Sequence, residues 1–232
     1  MTAEDRISIL LGNPKKAILI MAIPLVLSLL VSQINVIADR AWCAGLGDDA
    51  MSAIAVVTPV YMTIVGLGSG IGVGASAVIS RMIGASSKNK ASSTVVQSVI
   101  FGLLFGLILT PILLLGQDSL LTILSKDNIL GITEEYMLPY SIFTVVIVFN
   151  GVISGILNGQ GATQHSMYLT VIQAIVNIVL DPLLIYGLDM GLQGAAIATV
   201  LATIISMAIG CVLIISKKTY LPITRSSMKY DG

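Results

Sequence analysis

A chain of 232 residues that is 56% hydrophobic and only 10% charged, with a mean hydropathy of +0.97, is not an ordinary soluble domain. Its 12 basic and 12 acidic residues balance, which excludes a basic surface for nucleic acid and an acidic one for a basic partner. One histidine, His165, and two distant cysteines, Cys43 and Cys211, leave little material for a zinc site, a disulfide framework or a Ser-His-Asp triad.

Six apolar runs follow one another, near 16–41, 52–82, 93–116, 134–158, 166–188 and 191–216. Each reaches or approaches the roughly 20 residues that cross a bilayer as helix. They are continuous rather than alternating, which predicts helices and not the strands of an outer-membrane barrel. The expected fold is an all-α integral membrane protein, a six-transmembrane-helix bundle over 16–216, with an N-terminal segment 1–15 and a tail 217–232. Polar breaks fall at 45–49, 86–90, 117–135, 159–161 and 189–191. No short apolar core followed by a cleavage site marks the start, so no cleaved signal peptide is expected.

Orientation follows from the basic residues, which cytoplasmic loops retain. With the N-terminus inside, Arg6, Lys15, Lys16, Arg81, Lys88, Lys90, Lys217, Lys218, Arg225 and Lys229 are cytoplasmic, and only Arg40 and Lys126 are external. Both termini are then expected in the cytoplasm, with the bilayer of the cell membrane as the surrounding partner.

The first span carries Pro24, which removes a backbone hydrogen bond and is a candidate hinge. It also carries a polar stripe, Ser28, Ser32, Asn35 and Asp39, spaced so that all share one face. In the second span Gly66, Gly70 and Gly74 repeat every four residues beside a row of Gly68, Gly72 and Ser76, spacings that let helix backbones approach closely. A nucleotide-binding reading of these glycines fails, because no strand precedes them and no basic residue lies near to meet a phosphate. The third span repeats the device with Ser98, Gly102, Gly106 and Thr110, and the fourth with Gly151, Gly155 and Gly159. Tyr136, Tyr140 and Thr144 mark another face of the fourth span, while Gln33, Tyr61, Asn150 and Asn158 add scattered polarity.

The fifth span contains the stretch around which the rest is organised, Asn177-Ile-Val-Leu-Asp181-Pro182. Thr170, Gln173, Asn177 and Asp181 form a second polar stripe ending, like the first, in a carboxylate. A carboxylate within a span costs roughly 2.5–3.5 kcal/mol on insertion scales unless paired or hydrated, so its default reading is functional. At about 1.5 Å per residue, Asp181 lies roughly 10 Å inside the outer boundary and Thr199 of the sixth span roughly 12 Å. Asp39, Asn177, Asp181 and Thr199 thus form one layer of oxygens, which suits a hard cation or a proton better than zinc or copper. Two like charges in one partly desolvated cavity titrate as a unit and would exchange H⁺ or Na⁺ near neutral pH. Arg40, its direction about 100° from that of Asp39, need not face that cavity. Gln33, Asn35, Tyr136, Asn150 and Gln173 are candidates for lining a substrate cavity.

In order and spacing, Ala38-Asp39, Gly45-Leu46-Gly47, Gly66 to Arg81, Asn158-Gly159-Gln160-Gly161, Asn177 to Pro182 and Gly191 to Thr199 resemble the N-terminal lobe of the MATE (multidrug and toxic compound extrusion) transporters. The resemblance covers nearly the whole chain. It implies one half of a two-lobe (6+6) transporter fold whose partner is a second six-helix lobe. It also implies efflux of amphipathic or cationic compounds in exchange for Na⁺ or H⁺, with no cofactor and no enzymatic reaction. By motif position, the cation or proton site of the archaeal and related bacterial branch falls on Asp39, Asn177, Asp181 and Thr199, which would be the Na⁺ ligands in a sodium-coupled protein. Pro24 matches that family's bendable proline, and 217–232 becomes a cytoplasmic tail or part of an inter-lobe linker. Arg40 departs from the family pattern. The alternatives are a lipid-linked oligosaccharide flippase of the same superfamily, a membrane-embedded aspartyl enzyme using Asp39 and Asp181, and a non-transporting half that needs a second lobe.

Overall fold

The computed structural model describes residues 3–12, 14–216 and 219–221. Lys217, Lys218, Arg225 and Lys229, and with them most of the expected tail, lie outside the described residues. Among the described residues eight α-helices run in order: α1 Ala3–Leu11, α2 Pro14–Cys43, α3 Asp48–Gly84, α4 Lys88–Leu124, α5 Leu130–Ile142, α6 Thr144–Gly159, α7 Thr163–Pro182 and α8 Gly191–Ile215. No strand occurs among the described residues. In hydrocarbon every backbone polar group must find its partner within the protein, and continuous runs of Leu, Ile, Val and Ala meet that demand as helix.

Five helices, with α7 extended to Gly187, are long and apolar enough to span a membrane. A sixth span is made by two pieces, Asp127–Ile142 and Thr144–Gly159, bent by 52°. The span expected over 134–158 is thus broken rather than continuous. The helix runs through Pro139 to Ile142, and Phe143 leaves helical geometry at φ −100°, ψ 21° while its N–H still bonds the Pro139 carbonyl at 3.1 Å. The chain also begins with a helix that the apolar runs did not announce. α1 is too short to span, and it buries Ile7 beside Leu157, Ala162, Ile214 and Leu221.

The interior divides into two apolar clusters, one toward each end of the bundle. Ile7, Ile79, Ile153, Leu169 and Leu221 belong to the cluster at the end where α1 meets residues 219–221. Cys43, Val57, Leu121, Met137, Ile185 and Leu192 belong to the other. At the first end the Leu221 N–H donates to Gln160 Oε1 at 2.9 Å, and the Lys88 ammonium lies 4.5 Å from the centroid of the Tyr220 ring.

Helices α3 and α6 make the tightest seam. A Cβ on Gly155 would overlap the Gly72 backbone, and one on Gly151 would come within 2.7–3.0 Å of the Gly68 and Ser69 backbone. Gly159 faces Ser76 in the same way, 2.8 Å from its Cα. Gly102 and Gly106 of α4 meet the Val152 and Val145 side chains of α6. The row Gly66, Gly70, Gly74 has nothing within 4 Å. Residues two apart on a helix point about 200° apart, so only one of the two small rows can face α6.

Candidate functional site

Along the 30 residues of α2 only Pro24 and Cys43 are buried. The helix passes through Pro24 without a break and packs chiefly on α7, to which it runs parallel. Side by side, the two helices bring their stripes into register, Asn35 opposite Asn177, with Asp39 and Asp181 one turn further on. The stripes border a cavity of about 500 Å³. Its wall takes Ser28, Ser32, Asn35, Asp39 and Arg40 from α2, Thr58, Tyr61 and Ser69 from α3, and Tyr136 and Tyr140 from α5. Asn150, Ser154 and Asn158 of α6, Thr170, Gln173 and Asn177 of α7, and Thr199 and Thr203 of α8 complete its polar lining.

Asn177 is the centre of the hydrogen bonding. Its Oδ1 accepts from Asn35 Nδ2 at 2.8 Å, and its Nδ2 donates to Asp181 Oδ1 at 2.9 Å and to Thr199 Oγ1 at 3.4 Å. One amide thereby ties α2 to α7 and α7 to α8. A second chain of bonds runs toward the other end, from Asn150 Nδ2 to Gln173 Oε1 at 3.3 Å and from Gln173 Nε2 to Thr203 Oγ1 at 3.1 Å. Tyr140 donates to the Tyr136 hydroxyl at 3.3 Å, and the Tyr61 and Tyr140 rings pack with centroids 4.7 Å apart.

What these bonds leave over is a set of oxygens. Asp39 Oδ1, Asp181 Oδ2 and Asn35 Oδ1 are buried with no hydrogen-bond partner, as are Asn150 Oδ1 and Asn158 Oδ1. Buried acceptors without donors are costly, and a proton, a cation or ordered water relieves that cost. Asp39 and Asp181 lie near enough for their like charges to act on each other, and Arg40 is the nearby cation acting on Asp39. Among the described residues no three His, Cys, Asp or Glu side chains gather as a metal cluster. The donor set is instead two carboxylates, amides and a hydroxyl, which fits a hard monovalent ion or a proton.

Asp39, Asn177 and Thr199 lie on the cavity wall, whereas Asp181 is fully buried behind Asn177 and reaches the cavity only through that amide. Asn35, Tyr136, Asn150 and Gln173 line the wall as expected for a substrate cavity. Gln33 is exposed and does not line it, because it sits two residues from Asn35 and so on the opposite face of α2. Arg40 does line it, a point that helical spacing left open. Ser69 and Ser154 were not singled out, since small hydroxyls within glycine-rich segments look like packing positions.

The MatE family model matches residues 24–183. The multidrug export protein MepA of Staphylococcus aureus is 30% identical over 191 residues, 82% of this chain and 42% of that protein. Among solved structures, the outward-facing conformation of a multidrug resistance MATE family transporter of the MOP superfamily superposes with a TM-score of 0.93 at 35% identity, covering 97% of this chain and 50% of that one. A MOP superfamily transporter from Pyrococcus furiosus gives a TM-score of 0.92 at 35% identity, over the same shares. The chain therefore spans about half the length of the proteins it matches. A membrane-spanning six-helix bundle, a polar cavity and these matches over most of the sequence lead to one conclusion: the chain belongs to the MATE family of multidrug efflux transporters.

Proposed function

We propose that this chain is the ion-coupling half of an antiporter that exports amphipathic or cationic compounds across the cell membrane, with both termini in the cytoplasm. The observation that supports the reading is the group of donorless oxygens, Asp39 Oδ1, Asp181 Oδ2 and Asn35 Oδ1, around one hydrogen-bonded amide. Asp39, Asn177, Asp181 and Thr199 would hold the coupling Na⁺ or H⁺, which supplies positive charge beside two carboxylates that Arg40 alone does not balance. Bound there, it removes negative charge from the wall that a cationic substrate would contact. The amide of Asn177 passes the change from buried Asp181 to α2 through Asn35. Release of α2 about Pro24 would then alter the room available to the substrate against Tyr136, Asn150 and Gln173. A second six-helix lobe would complete the cavity, with 16–216 as the first lobe and 217–232 entering the link between them.

Asp39, Asp181 and Thr199 differ in what their loss should do. Thr199→Val keeps the shape and removes one ligand hydroxyl, so Na⁺ affinity should fall about tenfold, some 1.4 kcal/mol, with little change in thermal stability. Calorimetric titration of the purified chain measures it, and unchanged affinity would remove Thr199 from the site. The full reading is tested in lipid vesicles holding the chain alone or joined to a second six-helix lobe. Efflux of a fluorescent organic cation should follow an imposed Na⁺ or proton gradient in the joined protein only. Efflux indifferent to both gradients would sink the coupling.

A further inference from the structure

Immediately after Asp181-Pro182 the fifth span does not end but widens into a π-helical turn, Leu183–Gly187. Its closing bond runs from the Leu188 N–H to the Leu183 carbonyl at 2.9 Å. Such insertions rotate the residues that follow them relative to the preceding helix, and they concentrate at functional sites. Three contacts define this turn. Leu184 and Ile185 are buried, and a Cβ on Gly194 of α8 would lie 2.8–3.0 Å from their backbone atoms, so the turn is seated directly on α8. Gly194 is five residues before Thr199 on the same helix. On the other side the Tyr186 hydroxyl donates to the Trp42 carbonyl at 2.5 Å, across to the outer end of α2. Trp42 is three residues from Asp39.

The fit is close at that end. A Cβ on Gly45 would overlap the Tyr186 hydroxyl, and Cys43, between Trp42 and Gly45, is fully buried. Asp39 therefore belongs to a helix held at its outer end by a residue five positions beyond Asp181. The geometry assigns to Tyr186 the role of a positioning residue: its hydroxyl clamps the outer end of α2 onto the π turn and so fixes where Asp39 stands relative to Asp181 and Thr199. Together with the Asn35–Asn177 bond, the clamp gives α2, a helix with little buried surface, a second point of register with α7. This role rests on the proposed cation site, and Tyr186 itself touches neither that site's oxygens nor the cavity wall.

The chain contains a single tryptophan, Trp42, which makes the clamp observable without any bound ion. Na⁺ titration and Trp42 quenching by acrylamide are measured on the full chain as wild type, Tyr186→Phe, Gly45→Ala and the double variant. Loss of the hydroxyl, or its displacement by a methyl group, should weaken Na⁺ binding about tenfold, the order of effect that outer-shell partners of an ion site show. It should also raise the quenching of Trp42. Tyr186 can swing aside from a new methyl, so neither variant should change the unfolding temperature greatly. The double variant should be no worse than Tyr186→Phe, because both changes break one bond. Unchanged Na⁺ affinity in both single variants, or Trp42 quenching equal to wild type, overturns the assignment. Should wild type itself bind no Na⁺, the cation-site reading falls on its own. The quenching then decides the clamp: a rise in both single variants upholds it, and no rise overturns it.

Discussion

Asp181→Asn is expected to abolish saturable Na⁺ binding, with a loss of at least about a hundredfold, or some 2.7 kcal/mol. Asp181 is fully buried, with Oδ1 held by Asn177 and Oδ2 without a partner. An asparagine keeps the shape and the bond to Asn177 but places an amide where the free oxygen stood, and it cannot carry charge. The variant should therefore behave as a site locked in its protonated form. In the wild type a proton competes with Na⁺ for the same carboxylates, so affinity should weaken as pH falls from 8 to 5. In the variant the pH profile should be flat. Calorimetry over that range makes the comparison. Na⁺ affinity and pH dependence like the wild type's would show the polar layer to be structural, whereas proton uptake without Na⁺ binding in the wild type would point to pure proton coupling.

Gly155→Ala is expected to be the most damaging single methyl in the bundle. The new Cβ would occupy the same space as the Gly72 backbone of α3, and a main chain in mid-helix cannot rotate away as a side chain can. Overpacking a tight core costs about 1–3 kcal/mol and sometimes more, and here α3 and α6 must separate along their whole seam. Gly70→Ala, two residues from Gly72 with open space around it, is the matched control and should stay within about 0.5 kcal/mol of wild type. Thermal unfolding in detergent distinguishes them. Equal melting temperatures for the two variants would mean that the seam opens without cost. Because α6 carries Asn150 and Asn158, a shifted seam should also disturb the cavity, although no ion ligand is touched.

Much of this architecture can be read from the order of residues, and particular features show why. Long apolar runs declare the spans, since lipid allows little else. Polar residues at spacings of three and four declare the stripes, and the stripes of α2 and α7 do meet at Asn35 and Asn177. Features that depend on a single backbone event were not legible. The break at Phe143 falls four residues after Pro139, inside a helix that runs through that proline, and Pro24, Pro59 and Pro111 lie inside α-helices of 30 to 37 residues, so proline alone does not say which span bends. The π turn after Pro182 left no compositional trace, and with it the contact from Tyr186 to Trp42. Helical spacing left open whether Arg40 faces the cavity, because a long side chain can reach round to a face its Cα does not occupy. The two rows of α3 are both made of small residues, and only the position of α6 decides between them.

The corner formed by Gln160, Ile7 and Leu221 has a consequence for biogenesis. Ile7 belongs to a helix that leaves the ribosome before any of the spans and Leu221 to the last described segment, yet both enter the same apolar cluster. Gln160 offers its oxygen to an N–H that is made 61 residues later. During synthesis that corner must wait, with α1 free to associate but unable to be enclosed, until residue 221 has emerged. Insertion of the six spans can thus run ahead in order, while the closing of the bundle is timed by the residues that follow α8.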